Sequence, residues 1–380
     1  MSVTNSETTA QSSMAGPVRS AVVLTLIYIF LVGVSSLETG IKVMGADTQE
    51  QLFSNVSHPL AGLFVGILGT VLVQSSSAST SVIVGLVATQ ALGVDQAVPM
   101  IMGANIGTTV TNTLVSLGHL RASQEFKRAF AAATVHDFFN VMAVAILLPL
   151  ELATGVVSRI AEGITGSLVG TSGSEWKSPL KASVKAPVGW LESFWETVGL
   201  EGNLLGVFMV LSGLAIVLLA LTFITKNMRQ LVADRVEQAL NAVLGKGAGF
   251  VAMIVGLVIT IAVQSSSITT SILIPLTAAG VLTLRNAYPV TLGANVGTTI
   301  TALLASLATG STDSLTVALV HTTFNVMGIL LLYVIPLARD VPIRAAETLA
   351  DVAVVRRQWA VAYVVIFFIA IPAMGIALLR

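Results

Sequence analysis

One block of sequence occurs twice. Val65–Ser77 reads VGILGTVLVQSSS and Val255–Ser267 reads VGLVITIAVQSSS, so that Gln74 and Gln264 stand 190 positions apart. At the same spacing Pro99 meets Pro289, and GANIGTTVT (Gly103–Thr111) meets GANVGTTIT (Gly293–Thr301). After a short gap HDFFNVM (His136–Met142) meets HTTFNVM (His321–Met327). Several motifs in one register mark a duplicated unit, and a duplicated unit restricts the fold more than any single motif does. The copies lie within long apolar runs such as Phe208 to Ile224 and Val317 to Leu337. A bilayer core takes about 20 mostly apolar residues per helical span. Charged residues make up 10% of the chain, against about 25% in a soluble domain. The expected fold is therefore an all-α polytopic membrane protein.

Charge in the loops predicts how each copy faces, since Lys and Arg favour short cytoplasmic loops. Arg121, Lys127 and Arg128 follow GANIGTTVT, whereas Ala308 to Asp313, after GANVGTTIT, holds neither Lys nor Arg. Conversely, Lys226, Arg229, Arg235 and Lys246 precede the second QSSS, and Leu37 to Pro59 before the first holds only Lys42. Opposite bias at equivalent loops predicts two inverted-topology repeats, with re-entrant or broken helices carrying the QSSS motifs. The expected organisation is a disordered cytoplasmic N-terminus (1–18), a first membrane repeat (19–150), an external loop (151–202), a second repeat (203–340), a cytoplasmic linker (341–357) and an additional transmembrane helix (358–380). Within the repeats, spans are expected near 20–36, 97–117, 129–150, 203–224, 289–308 and 315–336, with hairpins near 59–91 and 248–282. Ala21 to Val34 also fits a signal-peptide core; its counterpart later in the chain favours an uncleaved first span.

The chemistry sits in two polar blocks. Gln74, Ser75, Ser76, Ser77, Ser79, Thr80 and Ser81 recur as Gln264, Ser265, Ser266, Ser267, Thr269, Thr270 and Ser271. In an apolar setting each unsatisfied polar group costs about 1–3 kcal/mol, so these side chains must face protein, water or a ligand. Small polar residues also let helices pack closely, but two in-register copies favour a ligand. Ser and Thr at a helix start accompany free N–H groups that suit an anion, and their oxygens suit a hard cation. In GAN-x-GTT the reading assigns Gly to non-helical backbone, Asn105 and Asn295 to turn or cap hydrogen bonds, and Thr to ligation. No Lys or Arg lies in either motif, so a bound phosphate, carrying roughly −1.5 to −2, needs co-bound cations. Asp95 and Asp137 are weaker candidates, and His136, His321, Asn140 and Asn325 read as interhelical contacts. Equal numbers of basic and acidic residues, 19 each, give no pull toward nucleic acid, and no Cys is present for disulfides or thiolate metal sites. The sequence offers no nucleophile–base pair and no P-loop, so an enzyme is not expected.

Paired QSSS motifs, each followed by GAN-x-GTT in duplicated membrane units, resemble the type II sodium–phosphate cotransporter family over most of residues 20–340. The resemblance implies sodium-coupled symport of inorganic phosphate into the cell by alternating access, in the plasma (inner) membrane. It implies phosphate contacts from Ser75, Ser76, Ser77, Ser265, Ser266 and Ser267. For sodium it implies Gln264, Ser265, Thr298 and Thr301, with Gln74, Ser75, Thr108 and Thr111 as equivalents. No cofactor is expected beyond the co-transported sodium, and the expected partners are phosphate, sodium and the lipid bilayer; oligomeric state stays open. Lack of Cys removes the loop disulfide of the family's animal members, and no cytosolic domain is expected after the last span. A symporter of another oxyanion such as sulfate, or a non-transporting scaffold or channel, stands as the alternative.

Overall fold

The structure, a computed structural model, describes residues 16–45, 48, 58–121, 123–169, 179–244 and 249–379. All regular elements among the described residues are helical. In chain order they are α1 (Gly16–Val43), α2 (Pro59–Val73), α3 (Ser76–Ala88), α4 (Val94–Gly107), α5 (Val110–Ser116), α6 (Ser123–Thr154), α7 (Val156–Val169), α8 (Pro179–Thr197), α9 (Gly202–Leu244), α10 (Gly249–Val263), α11 (Ser266–Ala278), α12 (Leu284–Thr309), α13 (Thr312–Ile329), α14 (Pro336–Val355) and α15 (Gln358–Leu378). Six helices among the described residues are long and apolar enough to cross a membrane. The chain is a multi-pass membrane protein.

The duplicated sequence folds as duplicated structure. α2 and α10 have 15 residues each, and α3 and α11 have 13 each. All four are shorter than a full span, and each pair is divided at Gln-Ser. α2 packs along α4, and α10 along α12. In the first pair Gly66 faces the Met100 carbonyl and Gly103 the Leu63 carbonyl; in the second, Gly256 faces Val290 and Gly293 faces Met253. A Cβ at any of these four glycines would overlap a backbone oxygen, so the sequence uses glycine to bring the two helices together. α1 and α9, the first helices of the two copies, pack along each other as well.

The two halves differ at one break, and helix also occupies three segments outside the expected spans. Residues 97–117, expected as one span, form α4 and α5 with a break at Thr108 and Thr109, whereas the equivalent α12 runs unbroken for 26 residues. Just past the break Asn112 and Thr113 reach other helices, while their counterparts Ala302 and Leu303 have no polar group to place. The segment 151–202 contains two helices on the bundle: Thr165 of α7 meets Thr316, and Trp195 of α8 donates to Ser212. The segment 341–357 lies largely in α14, whose Ile343, Ala346, Ala350 and Ala353 are buried at helical spacing, and α14 packs on α6. Its charges line the other face, with Lys127 paired to Asp351. The helix α1 begins at Gly16, inside the stretch expected to be unstructured, and residues 1–15 lie outside the described residues.

Candidate functional site

Each polar block becomes a helix break followed by a helix start. Gln74 and Gln264 both adopt left-handed backbone, with φ of 57° in each. Their N–H groups close α2 and α10 by donating to Thr70 and Thr260 at 2.8 and 2.7 Å. Ser75 and Ser265 then take extended backbone, and their hydroxyls accept from the N–H groups of Ala78 and Ile268 at 3.2 and 3.4 Å. An N-cap of this kind contributes about 1 kcal/mol. The first-turn N–H groups of α3 and α11, together with a partial charge of about +0.5 at each start, then face whatever adjoins them.

Both starts adjoin one cavity. It has a volume of about 770 Å³ and is lined by Gln74 to Ser77 and by Gln264 to Ile268. The six serines expected to meet the anion are thus brought together from opposite ends of the sequence. Two threonines of the GAN-x-GTT motifs are tied to the breaks: Thr111 donates to Gln74 Oε1 and Thr301 to Gln264 Oε1, both at 3.0 Å. Ser77 donates to Thr301 at 3.3 Å, joining one half to the other. Thr108 donates to Ser76 at 2.9 Å, while its counterpart Thr298 donates to the Ala294 carbonyl of its own helix at 3.1 Å. Thr298 is therefore the one expected sodium ligand whose hydroxyl is turned back into its own helix.

The cavity also carries positive charge. Lys226 and Arg229 of α9 line it, with Thr222, Thr225 and Gln230, and no Asp or Glu does so among the described residues. The expectation had co-bound cations alone balancing an anion; two basic side chains line the same cavity as the serines. The stripe Thr222, Thr225, Lys226, Arg229 has spacing i, i+3, i+4, i+7, which puts it on one helix face, and that polar stripe was the available sequence signal. Reading those bases for membrane orientation hid their position.

The GAN-x-GTT asparagines do something other than cap. Asn105 and Asn295 lie inside α4 and α12, where they knit the halves. Asn295 donates to Asn140 and Asn325, both at 2.9 Å; Asn140 donates to the Asn105 carbonyl at 2.7 Å; His321 Nε2 lies 3.2 Å from Asn105 Oδ1. The motif glycines are likewise helical and serve close packing. His321, Asn140 and Asn325 take the interhelical roles expected of them. Asp137 is buried beside this knot and accepts from Thr113 at 3.2 Å and Tyr363 at 2.9 Å. Asp95 lines a separate cavity with Glu151 and Arg159.

The family model of the Na+/Pi-cotransporters matches residues 29–166 and 216–350. The chain belongs to that family. Both matched stretches contain a Gln-Ser break, its GAN-x-GTT helix and its Asn knot. Among similar proteins, sodium-dependent phosphate transport protein 2A of Ovis aries is 33% identical over 423 residues, covering 92% of this chain and 66% of that protein. Protein 2B of Homo sapiens is 34% identical over 443 residues, covering 93% and 64%. The chain thus spans just under two thirds of the length of these relatives. No solved structure gives a significant match. Membership places the chain in a family of cotransporters rather than of enzymes.

Proposed function

We propose that this chain carries inorganic phosphate across the plasma membrane together with sodium, by alternating access between two inverted halves. The observation that carries the proposal is the convergence of two Gln-Ser helix starts and two basic side chains on one cavity. Hydroxyls and N–H groups donate to an oxyanion, and Lys226 and Arg229 add charge-assisted partners, which are the stronger kind. Ser75, Ser76, Ser77, Ser265, Ser266 and Ser267 are the phosphate contacts. Sodium takes oxygens of Gln264, Ser265, Thr298 and Thr301, with Gln74, Thr108 and Thr111 as equivalents; for Thr298 this requires its hydroxyl to leave Ala294. The names of the relatives support both substrates.

The test is uptake of labelled phosphate by proteoliposomes holding the purified chain, with an inward sodium gradient or with choline in its place. Sodium-dependent, saturable uptake that excess sulfate leaves unchanged is expected. Equal uptake in choline would remove the coupling, and stronger competition by sulfate than by unlabelled phosphate would reassign the anion. If sodium contributes to anion binding, each must tighten the other by the same factor, so phosphate affinity should rise with sodium concentration.

A further inference from the structure

The last helix, α15, has no counterpart in the repeat, yet it has a seat in the first half. It packs on α2, where Gly375 lies against the ring of Phe64. The residue equivalent to Phe64 in the second half is Ile254 of α10, 190 positions on. No helix of the described residues covers Ile254 in the same way. It lines an open apolar groove of about 610 Å³ between α10 and the end of α13, beside Phe250, Leu257, Leu330 and Val334. Phe250 is 71% exposed and Leu330 54%. Arg339 lines the groove as well.

Arg339 is held there by its inner side. Its Nε donates to the Tyr333 carbonyl at 2.7 Å, and its guanidinium carbon lies 4.6 Å from the centre of the Tyr333 ring. Among the described residues Arg339 makes no close ion pair; the neighbouring Asp340, whose charge it feels, is bonded to Arg285 at 2.7 Å. The groove runs from Gly249 to Leu257 along α10, which is about 12 Å at 1.5 Å per residue. That length fits one leaflet of a hydrocarbon core about 30 Å thick. A transmembrane helix such as α15 would need a seat across both leaflets.

We infer that this groove binds one acyl chain of an anionic phospholipid, with the lipid's phosphate on the outer edge of the Arg339 guanidinium. Its apolar wall, single-leaflet length and a cation without a close ion pair match a lipid whose head carries negative charge, and the inference does not depend on which substrate the central cavity carries. The probes are phosphatidylglycerol and phosphatidylcholine with identical chains, titrated into delipidated protein and counted by native mass spectrometry. Wild type should retain phosphatidylglycerol about fivefold more tightly, the scale of one basic side chain at a membrane surface. Arg339→Gln should abolish that preference while Arg356→Gln, outside the groove, keeps it; Ile254→Trp should weaken binding of both lipids. Thermal melting of each variant guards against misfolding. Equal retention of the two lipids by wild type, or an undiminished preference in folded Arg339→Gln, would overturn the inference. So would disulfide formation between copies of Ile254→Cys in a bilayer, because the chain has no other cysteine and a second copy would then be the occupant.

Discussion

The first and second halves carry nearly the same motifs, yet the first is committed to internal contacts and the second is more open. Around the first break Thr108 is tied to Ser76, α4 is interrupted, and α15 covers the α2 face. Around the second break α12 is continuous, Thr298 bonds its own helix, and the groove on α10 is uncovered. The second half in turn lends Thr270 and Ser271 to Asn112 of the first, at 2.9 and 3.2 Å. Duplication therefore supplied two similar frames, and substitutions at a few positions, Asn112 for Ala302 and Asp137 for Thr322, gave them unequal roles.

The largest expected effect concerns orientation. If the halves are inverted, Cys in place of Ser123 should be labelled by an impermeant maleimide from the cytoplasm, and Cys in place of Thr312 from outside. Labelling of both from one face would end the inverted reading and leave a parallel duplication. Next come the glycine contacts. Gly256→Val and Gly66→Val should each lose the monodisperse peak in fluorescence size exclusion, overpacking costing about 1–3 kcal/mol or more. Tolerance in one half but not the other would locate the difference in helix packing as well as in side chains.

Smaller effects separate the two charge sources. Lys226→Gln and Arg229→Gln should each raise the phosphate concentration for half-maximal uptake, by about tenfold for a lost charge-assisted bond near 1.5 kcal/mol. Thr301→Val, which loses the bond to Gln264, should raise the sodium requirement more than Thr111→Val does, because Ser77 also depends on Thr301. Equal responses would mean that the two breaks serve sodium alike. The smallest effect is expected at Asp340. The Arg285 guanidinium holds its carboxyl below the ordinary range. That preference adds stability above the ordinary carboxyl pKa and is lost as pH falls through the lowered value. The pair is exposed and screened, so Arg285→Gln should leave melting at neutral pH nearly unchanged, and a large drop would show that α12 and α14 depend on it.

Much of this was legible in the residues. Gln followed by three Ser after a long apolar run placed both breaks, since a polar block cannot continue a lipid-facing helix cheaply. That Thr111 and Thr301 belong with the breaks was implied by the family resemblance, not by spacing alone. Lys226 and Arg229 were not legible because their partners lie on α3 and α11, far away in sequence, and a base on a long helix looks alike whether it faces a cavity or a headgroup. α14 was hidden by its charge density: its buried face is mostly alanine, whose small apolar signal is outweighed by the Arg, Asp and Glu on the opposite face. Asn105 and Asn295 were misassigned because Asn favours caps in general, whereas Asn140 and Asn325 were read correctly as interhelical.

The helix breaks also bear on how the protein meets an electric field. α2 and α10 each run 15 residues before turning at Gln74 or Gln264, a length of about 22 Å. Water in the shared cavity would carry the potential of the side it opens to as far as the serines. The remaining voltage would fall across whatever closes the cavity toward the other side. An ion reaching the serines would then cross only the part of the field on the open side, and the rearrangement that exposes it to the other side would cross the rest. Membrane voltage, worth about 2.3 kcal/mol per charge for each 100 mV, would bias the turnover step of a carrier with net charge as well as the loading of its site.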